Sequence, residues 1–235
     1  MPAFIDISGK VTREMKYKIG QSVKVKQGVQ CPDDPDFDLS EWQGRVFEII
    51  EEDNEEPTVG VKWDSITLNN MPKLYIGKSE RENLDWSVIY LYAYEVELTQ
   101  PRDSELDVNK IRDELEKRFG WLSMGEEGEL IQSVVNSAES FDELDVMKAW
   151  ENHLEKKVQF PFETVVEYQS RGPLNQGDLL KVFGIELTDD LYGVIVACRK
   201  GRKRYDFPLV DLKVVEENSE NAKKVQAYCT WFANR

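Results

Sequence analysis

The chain has 235 residues, with 30 Lys plus Arg against 45 Asp plus Glu and a formal net charge of −15. Such an acidic excess repels nucleic acid and anionic membrane surfaces, and it favours cations or basic proteins as partners. Hydrophobic residues make up 40% and aromatics 11%, which excludes a disordered acidic tail and allows one large core or two modest ones.

The opening MPAFIDISGK has no basic run followed by an apolar one, so no secretory leader is expected. No apolar stretch approaches the ~20 residues of a spanning helix. Cys31, Cys198 and Cys229 are far apart and form no CxxC pair, which predicts free thiols in a reducing, cytoplasmic setting. With His153 as the single histidine, a Cys/His zinc site is nearly excluded.

From Tyr17 to Leu98 the pattern predicts strands. SVKVKQGV alternates, GRVFEII and TVGVKW are short β-branched or aromatic runs, and SVIYLYAYEVEL is similar, although its first half can form a helical turn. From Asp103 to about Lys157 the period becomes helical. Ser104 precedes ELDVNKIRDELEKRF, whose Leu106, Ile111, Leu115 and Phe119 fall on one face, and Gly120 ends the run. GEEGELIQSVVNSA predicts a second helix. In SFDELDVMKAWENHLEKK, Ser140 and Glu143 form a capping-box pattern, and Phe141, Leu144, Met147 and Leu154 form an apolar stripe. Strands return in QFPFETVVEYQS, GDLLKVFGI, YGVIVACRK and RYDFPLVDLKVV, and Ser219 opens a closing helix.

The two strand regions repeat in outline. GQSVKV from Gly20 aligns with GDLLKV from Gly177, and WQGRVFEI with LYGVIVAC, which predicts two related small barrels. The first copy is longer in the loop PDDPDFDLSEWQGRV, residues 32–46. Calcium takes six to eight oxygens at about 2.3–2.6 Å, from carboxylates, carbonyls and water. Asp34, Asp36 and Asp38 alternate, so an extended chain points them to one side. Leu39 stands where an EF-hand needs glycine, and Arg45 where it needs the bidentate glutamate, so the loop is no EF-hand. It is either a solvated acidic turn or a second, weaker metal site made by Asp34, Asp36, Asp38 and Glu41.

A second set of carboxylates lies in the later strands. Glu163 follows FPF, Asp178 follows Gly177, Asp189 and Asp190 precede LYG, and Asp206 and Asp211 flank FPLV. Strand starts and turns of a small barrel can meet at one rim and hold a cation there. Each residue also has a local reading as a turn former. RKGRKRY is a basic hairpin tip that pairs with carboxylates or meets a partner. Cys198 reads as core and His153 as packing or surface. Trp42, Trp63, Tyr75 and Trp86 either line a peptide groove, with Trp42 and Trp63 touching the partner, or fill a small core. GxSxG, the P-loop and GxGxxG are all missing, so no enzyme is expected.

From Trp150 to Arg235, the series FPFE, GD, DDLYGV and FPLVDL, with the closing helix, resembles the cyanobacterial calcium-binding CcbP family. The resemblance implies a small β-barrel with a helical attachment and Ca²⁺ held by acidic side chains. The matching acidic positions are Glu163, Asp178, Asp189, Asp190, Asp206 and Asp211. The N-terminal part, through GVQCPDDPDFDLSEWQGRV and VKWDSITLNNMP, resembles uncharacterised bacterial domains with an SH3-like or Tudor-like barrel. The expected fold is therefore α+β: two small SH3-like β-barrels joined by a helical segment, with a C-terminal helix. The expected divisions are 1–102, 103–149 and 150–235.

The expected function is a cytoplasmic calcium-binding protein, a buffer or sensor, with Ca²⁺ as cofactor and neither nucleic acid nor membrane as partner. The alternative is a non-enzymatic protein-interaction module built on the barrels.

Overall fold

The computed structural model describes residues 16–52, 55–168 and 172–235, and the backbone of one further antiparallel pair, β1 (Phe4–Ile5) with β2 (Val11–Thr12). The chain divides into two units, 1–116 and 117–235. Among the described residues, no helix is long and apolar enough to cross a membrane.

In the first unit, Ser-Val-Lys-Val turns Val23 and Val25 inward and becomes β3 (Ser22–Val25). It joins an antiparallel sheet with β4 (Gln43–Ile50), β5 (Thr58–Trp63), β6 (Val88–Tyr92) and β7 (Val96–Leu98), in the order β6-β5-β4-β3-β7. Val46, Val59, Val61 and Trp63 complete the inner face. β4 and β5 approach so closely that a Cβ at Gly44 would lie 2.3 Å from the Lys62 carbonyl oxygen, and only glycine fits there.

Two helices interrupt the stretch expected to be all strand. Asp64 caps α1 (Ser65–Asn70) by accepting from the Thr67 amide at 2.7 Å, and Pro72 precedes α2 (Lys73–Arg81). The β-branched residues Ile66 and Thr67 hide this start from a propensity reading. SVIYLYAYEVEL is neither one strand nor a helical turn: it folds back after Tyr92, whose carbonyl accepts from the Glu95 amide at 2.9 Å.

α3 (Glu105–Phe119) has the expected bounds and most of the expected face, with Ile111, Leu115 and Phe119 half-buried. Leu106 is exposed, and Val108 is the helix's buried residue.

In the second unit the sheet comprises β8 (Phe162–Val166), β9 (Leu179–Asp189), β10 (Gly193–Lys200), β11 (Lys203–Pro208) and β12 (Leu212–Val214), in the order β11-β10-β9-β8-β12. A short 3₁₀ turn, Leu209–Asp211, leads into β12. Both sheets thus follow one plan, in which the fifth strand returns to lie beside the first. By that plan β3 corresponds to β8, and β4 to β9. The alignment of GQSVKV with GDLLKV was therefore one strand out of step, because it matched a first strand to a second. In neither sheet do the outermost strands pair with each other, so the hydrogen bonding gives open sheets rather than closed barrels.

Helices α4 (Gly125–Val135), α5 (Glu143–Lys157) and α6 (Glu220–Ala233) belong to the second unit's core. Ile131, Val134, Val146, Met147 and Trp150 pack with Val182, Val194, Val196 and Cys198, and with Tyr228 and Trp231. Residues from within the expected helical linker thus share this core. The capping box at α5 does not form: Ser140 donates to Asp145 instead, and Leu144 of the expected stripe is exposed. Ser219 does cap α6, accepting from the Ala222 amide at 3.1 Å.

Candidate functional site

Register decides which carboxylates can meet. Asp178 immediately precedes β9 and Asp189 is its last residue, so about 36 Å of strand lies between them along the chain. Among the described residues no three carboxylates group closely enough to hold a metal ion, so the six expected at one rim form no such cluster. Asp178 pairs with Lys200 at 2.5 Å and accepts from the Asn175 amide at 2.9 Å, and the lysine holds its pKa below the usual carboxylate range. Asp189 ties its own turn, accepting from the amides of Leu191 and Tyr192 at 2.9 Å each. Asp190 is exposed, and its carbonyl accepts from Arg235 at 3.4 Å. Asp206 is exposed with Arg204 at 3.9 Å. Glu163 is exposed opposite Lys181 in the β8–β9 register.

Asp211 differs from the other five. Burial raises its carboxyl above the usual range, and among the described residues its side chain has no hydrogen bond or ion pair. Its carbonyl accepts from the amides of Glu167 at 2.8 Å and Tyr168 at 3.4 Å, which fixes the end of β8 beside the 3₁₀ turn. A cleft of about 590 Å³ opens beside this turn, lined not by Asp211 itself but by its neighbours Val210 and Leu212, with Glu126, Glu127, Glu167 and Cys229. The Cys229 thiol is pushed up to about 12, first by burial and then by the charges of Glu167, Asp211 and Glu127. Three carboxylates, from the residue after β8, from the 3₁₀ turn and from α4, thus lie near one thiol. Glu127 accepts from the Thr230 hydroxyl at 2.5 Å, and Lys213 pairs with Glu217 at 2.8 Å.

Glu127 and Glu167 were not among the expected site residues. Glu127 sits in a stretch read as linker, and Glu167 lies one residue past a strand whose partner across the sheet, β12, comes much later in the chain. The pairing of Val166 with Leu212 is what brings Glu167 to Asp211.

In the first unit, the loop carboxylates are occupied locally. Asp34 pairs with Lys78 at 2.6 Å, Asp38 accepts from the Ser40 amide at 2.8 Å and its hydroxyl at 2.5 Å, and Glu41 holds Lys24 at 2.9 Å and Gln27 at 3.0 Å. Asp36 is exposed, and its amide donates to Asp34 at 3.3 Å. Trp63, expected to touch a partner, is fully buried, and Tyr75 and Trp86 are each only 5% exposed. Trp42 meets Trp63 edge-on at 5.2 Å and Tyr75 at 5.7 Å, and is half-buried. Trp63, Trp42 and Tyr75 pack ring on ring, while Trp86 is buried apart from them and donates its indole N–H to Glu80 at 2.7 Å.

The cleft beside Asp211 suits calcium in donor type, since it offers carboxylate oxygens and a turn. It does not suit calcium in spacing: among the described residues no three His, Cys, Asp or Glu side chains group closely enough to hold a metal ion.

Residues 130–232 match the model of the CcbP family, described as calcium binding. The match starts within α4, ahead of Trp150. Two solved structures are similar. One is CcbP from Anabaena, at 18% identity, covering 45% of this chain and 90% of that chain, with a TM-score of 0.38. The other is a calcium-binding protein in its calcium-binding form, at 18% identity, covering 46% of this chain and 89% of that one, with a TM-score of 0.37. No curated protein matches the chain. The C-terminal region, residues 130–232, is CcbP-like.

Proposed function

We propose that the second unit binds Ca²⁺ and that the protein acts as a cytoplasmic calcium buffer or sensor without catalysis. The observation that carries this reading is the family match over residues 130–232. The shared strand order supports reading each sheet as an SH3-like barrel that is left open in its hydrogen bonding. The cleft beside Asp211 is the best-supported place for the ion. Asp211, Glu167 and Glu127 would supply carboxylate oxygens, after side-chain turns that bring them closer together. Desolvation makes an ionised Asp211 costly without a cation, and a divalent ion would offset that cost. Protein recognition, the alternative role, belongs to the first unit, where Tyr90, Tyr92 and Tyr94 are exposed.

The test is calorimetric titration of the whole chain with Ca²⁺ and with Mg²⁺, alongside thermal melting. Calcium at a hundredfold excess over Kd should stabilise the protein by about 2.7 kcal/mol. Magnesium should bind more weakly, because its octahedral demand at about 2.0–2.1 Å suits a loose carboxylate cleft poorly. No heat and an unchanged melt in millimolar Ca²⁺ would overturn the reading.

A further inference from the structure

β6 and the turn after it leave three tyrosines at the surface of the first unit, with Tyr90, Tyr92 and Tyr94 at 44, 48 and 57% exposure. The rings of Tyr92 and Tyr94 lie 5.4 Å apart and 11° from parallel. They border a groove of about 750 Å³, whose other wall is the β3–β4 loop with Pro32 and Pro35. Exposed aromatic faces beside an open groove offer a partner's planar cations a surface to stack on.

The charge around it has one dominant sign. On the β4–β5 loop, Glu51, Glu52, Glu55 and Glu56 are all exposed. Glu56 and Glu95 lie near enough to act on the Tyr94 phenol, and Glu48 accepts from the Tyr90 hydroxyl at 2.7 Å. The cation among the groove's lining residues, Lys26, donates to the Tyr94 carbonyl.

We propose that this groove docks an extended, arginine-rich segment of a partner protein, with guanidinium planes on the tyrosine faces and the peptide's positive charge beside Glu48, Glu56 and Glu95. Arginine suits it better than lysine because a planar, weakly hydrated guanidinium stacks on an aromatic ring, whereas an ammonium keeps its water. An extended segment suits an open trough walled by prolines and flat rings. The groove is built from first-unit residues alone, so the inference stands or falls separately from calcium binding.

The experiment uses the full chain and a short fluorescent peptide of alternating arginine and proline, read by anisotropy. A second peptide carries lysine in place of each arginine. Binding of the arginine peptide should weaken with added salt and fall about tenfold in Tyr92→Ala and again in Tyr94→Ala. Glu55→Gln with Glu56→Gln should also weaken it. Both tyrosines are exposed, so the variants should keep the wild-type melting temperature, which checks that they fold. Three results would overturn the proposal: no binding, binding indifferent to both tyrosines, or equal affinity for the lysine peptide. The last two would mean attraction by charge alone.

Discussion

The Tyr228 hydroxyl accepts a hydrogen bond from the Val194 amide at 2.7 Å, joining α6 to the start of β10 inside the second core. Both residues are completely buried. Tyr228→Phe keeps the ring and removes the acceptor, which leaves a buried N–H unpaired. A loss of about 1–3 kcal/mol is expected, read as a lower urea midpoint with an unchanged slope.

Gly193 lies directly beneath that contact. Its φ is +70°, and a Cβ there would lie 2.2 Å from the Tyr228 hydroxyl and 2.5 Å from the Phe232 ring. Gly193→Ala should cost about 1–3 kcal/mol through overpacking and strain. Combined with Tyr228→Phe, part of the clash disappears, so the double variant should lose less than the sum of the two singles. Strict additivity in denaturant unfolding would contradict this geometry.

Arg102 grips Asp64 through Nε at 2.6 Å and through a terminal nitrogen at 2.9 Å, and Asp64 is only 4% exposed. Arg102→Leu leaves that carboxylate buried without its cation while it still caps α1. The expected loss is about 3 kcal/mol, since removing one partner of a buried pair costs more than the pair itself contributes. Arg102→Leu combined with Asp64→Ser, which keeps a cap, should recover part of it.

Asp211 offers a test in which two signs must agree. Its folded pKa is raised by burial, so the folded state holds the proton more tightly than the unfolded chain, and stability falls as pH rises from about 4 through the folded value. Without Ca²⁺ at neutral pH, Asp211→Asn should therefore raise the melting temperature, and the gain should vanish in acid. With Ca²⁺, the same variant and Glu167→Gln should lose most of the calcium-induced shift. Asp189→Asn with Asp190→Asn should keep that shift.

His153 titrates in the opposite sense. Burial first, then Lys157 and Lys224, lower its pKa, and it packs edge-on against Trp150 at 5.8 Å. A depressed histidine favours the folded state above its unfolded value near 6.5, and that contribution is lost as pH falls through the lower folded value. The melting temperature of wild type relative to His153→Gln should drop between pH 7 and pH 5. Parallel pH profiles would sink this prediction.

The sequence made short strands legible wherever valines alternated, as in Ser22–Val25, and it made helices legible wherever a cap stood before a periodic run, as at Ser219. It concealed α1, since the β-branched Ile66 and Thr67 fill its first turn after the Asp64 cap. The doubling of the fold was visible, but its register was not, because a first and a second strand look alike until partners are known. The candidate site was harder for the same reason. Asp211 stood out as one acidic residue among six. What distinguishes it is a half-buried carboxyl without a partner, together with Glu167 and Glu127, and these neighbours are assembled only by the β8–β12 pairing and by α4 packing near α6.

In each sheet, the strand that comes last in sequence lies against the one that comes first. During synthesis, β8 must wait with a bare edge until Leu212–Val214 emerges, and the hollow under β10 must wait longer for Tyr228 and Trp231. Nearly all of the second unit must leave the ribosome before any of it can lock, which makes this half of the molecule a late and vulnerable folder.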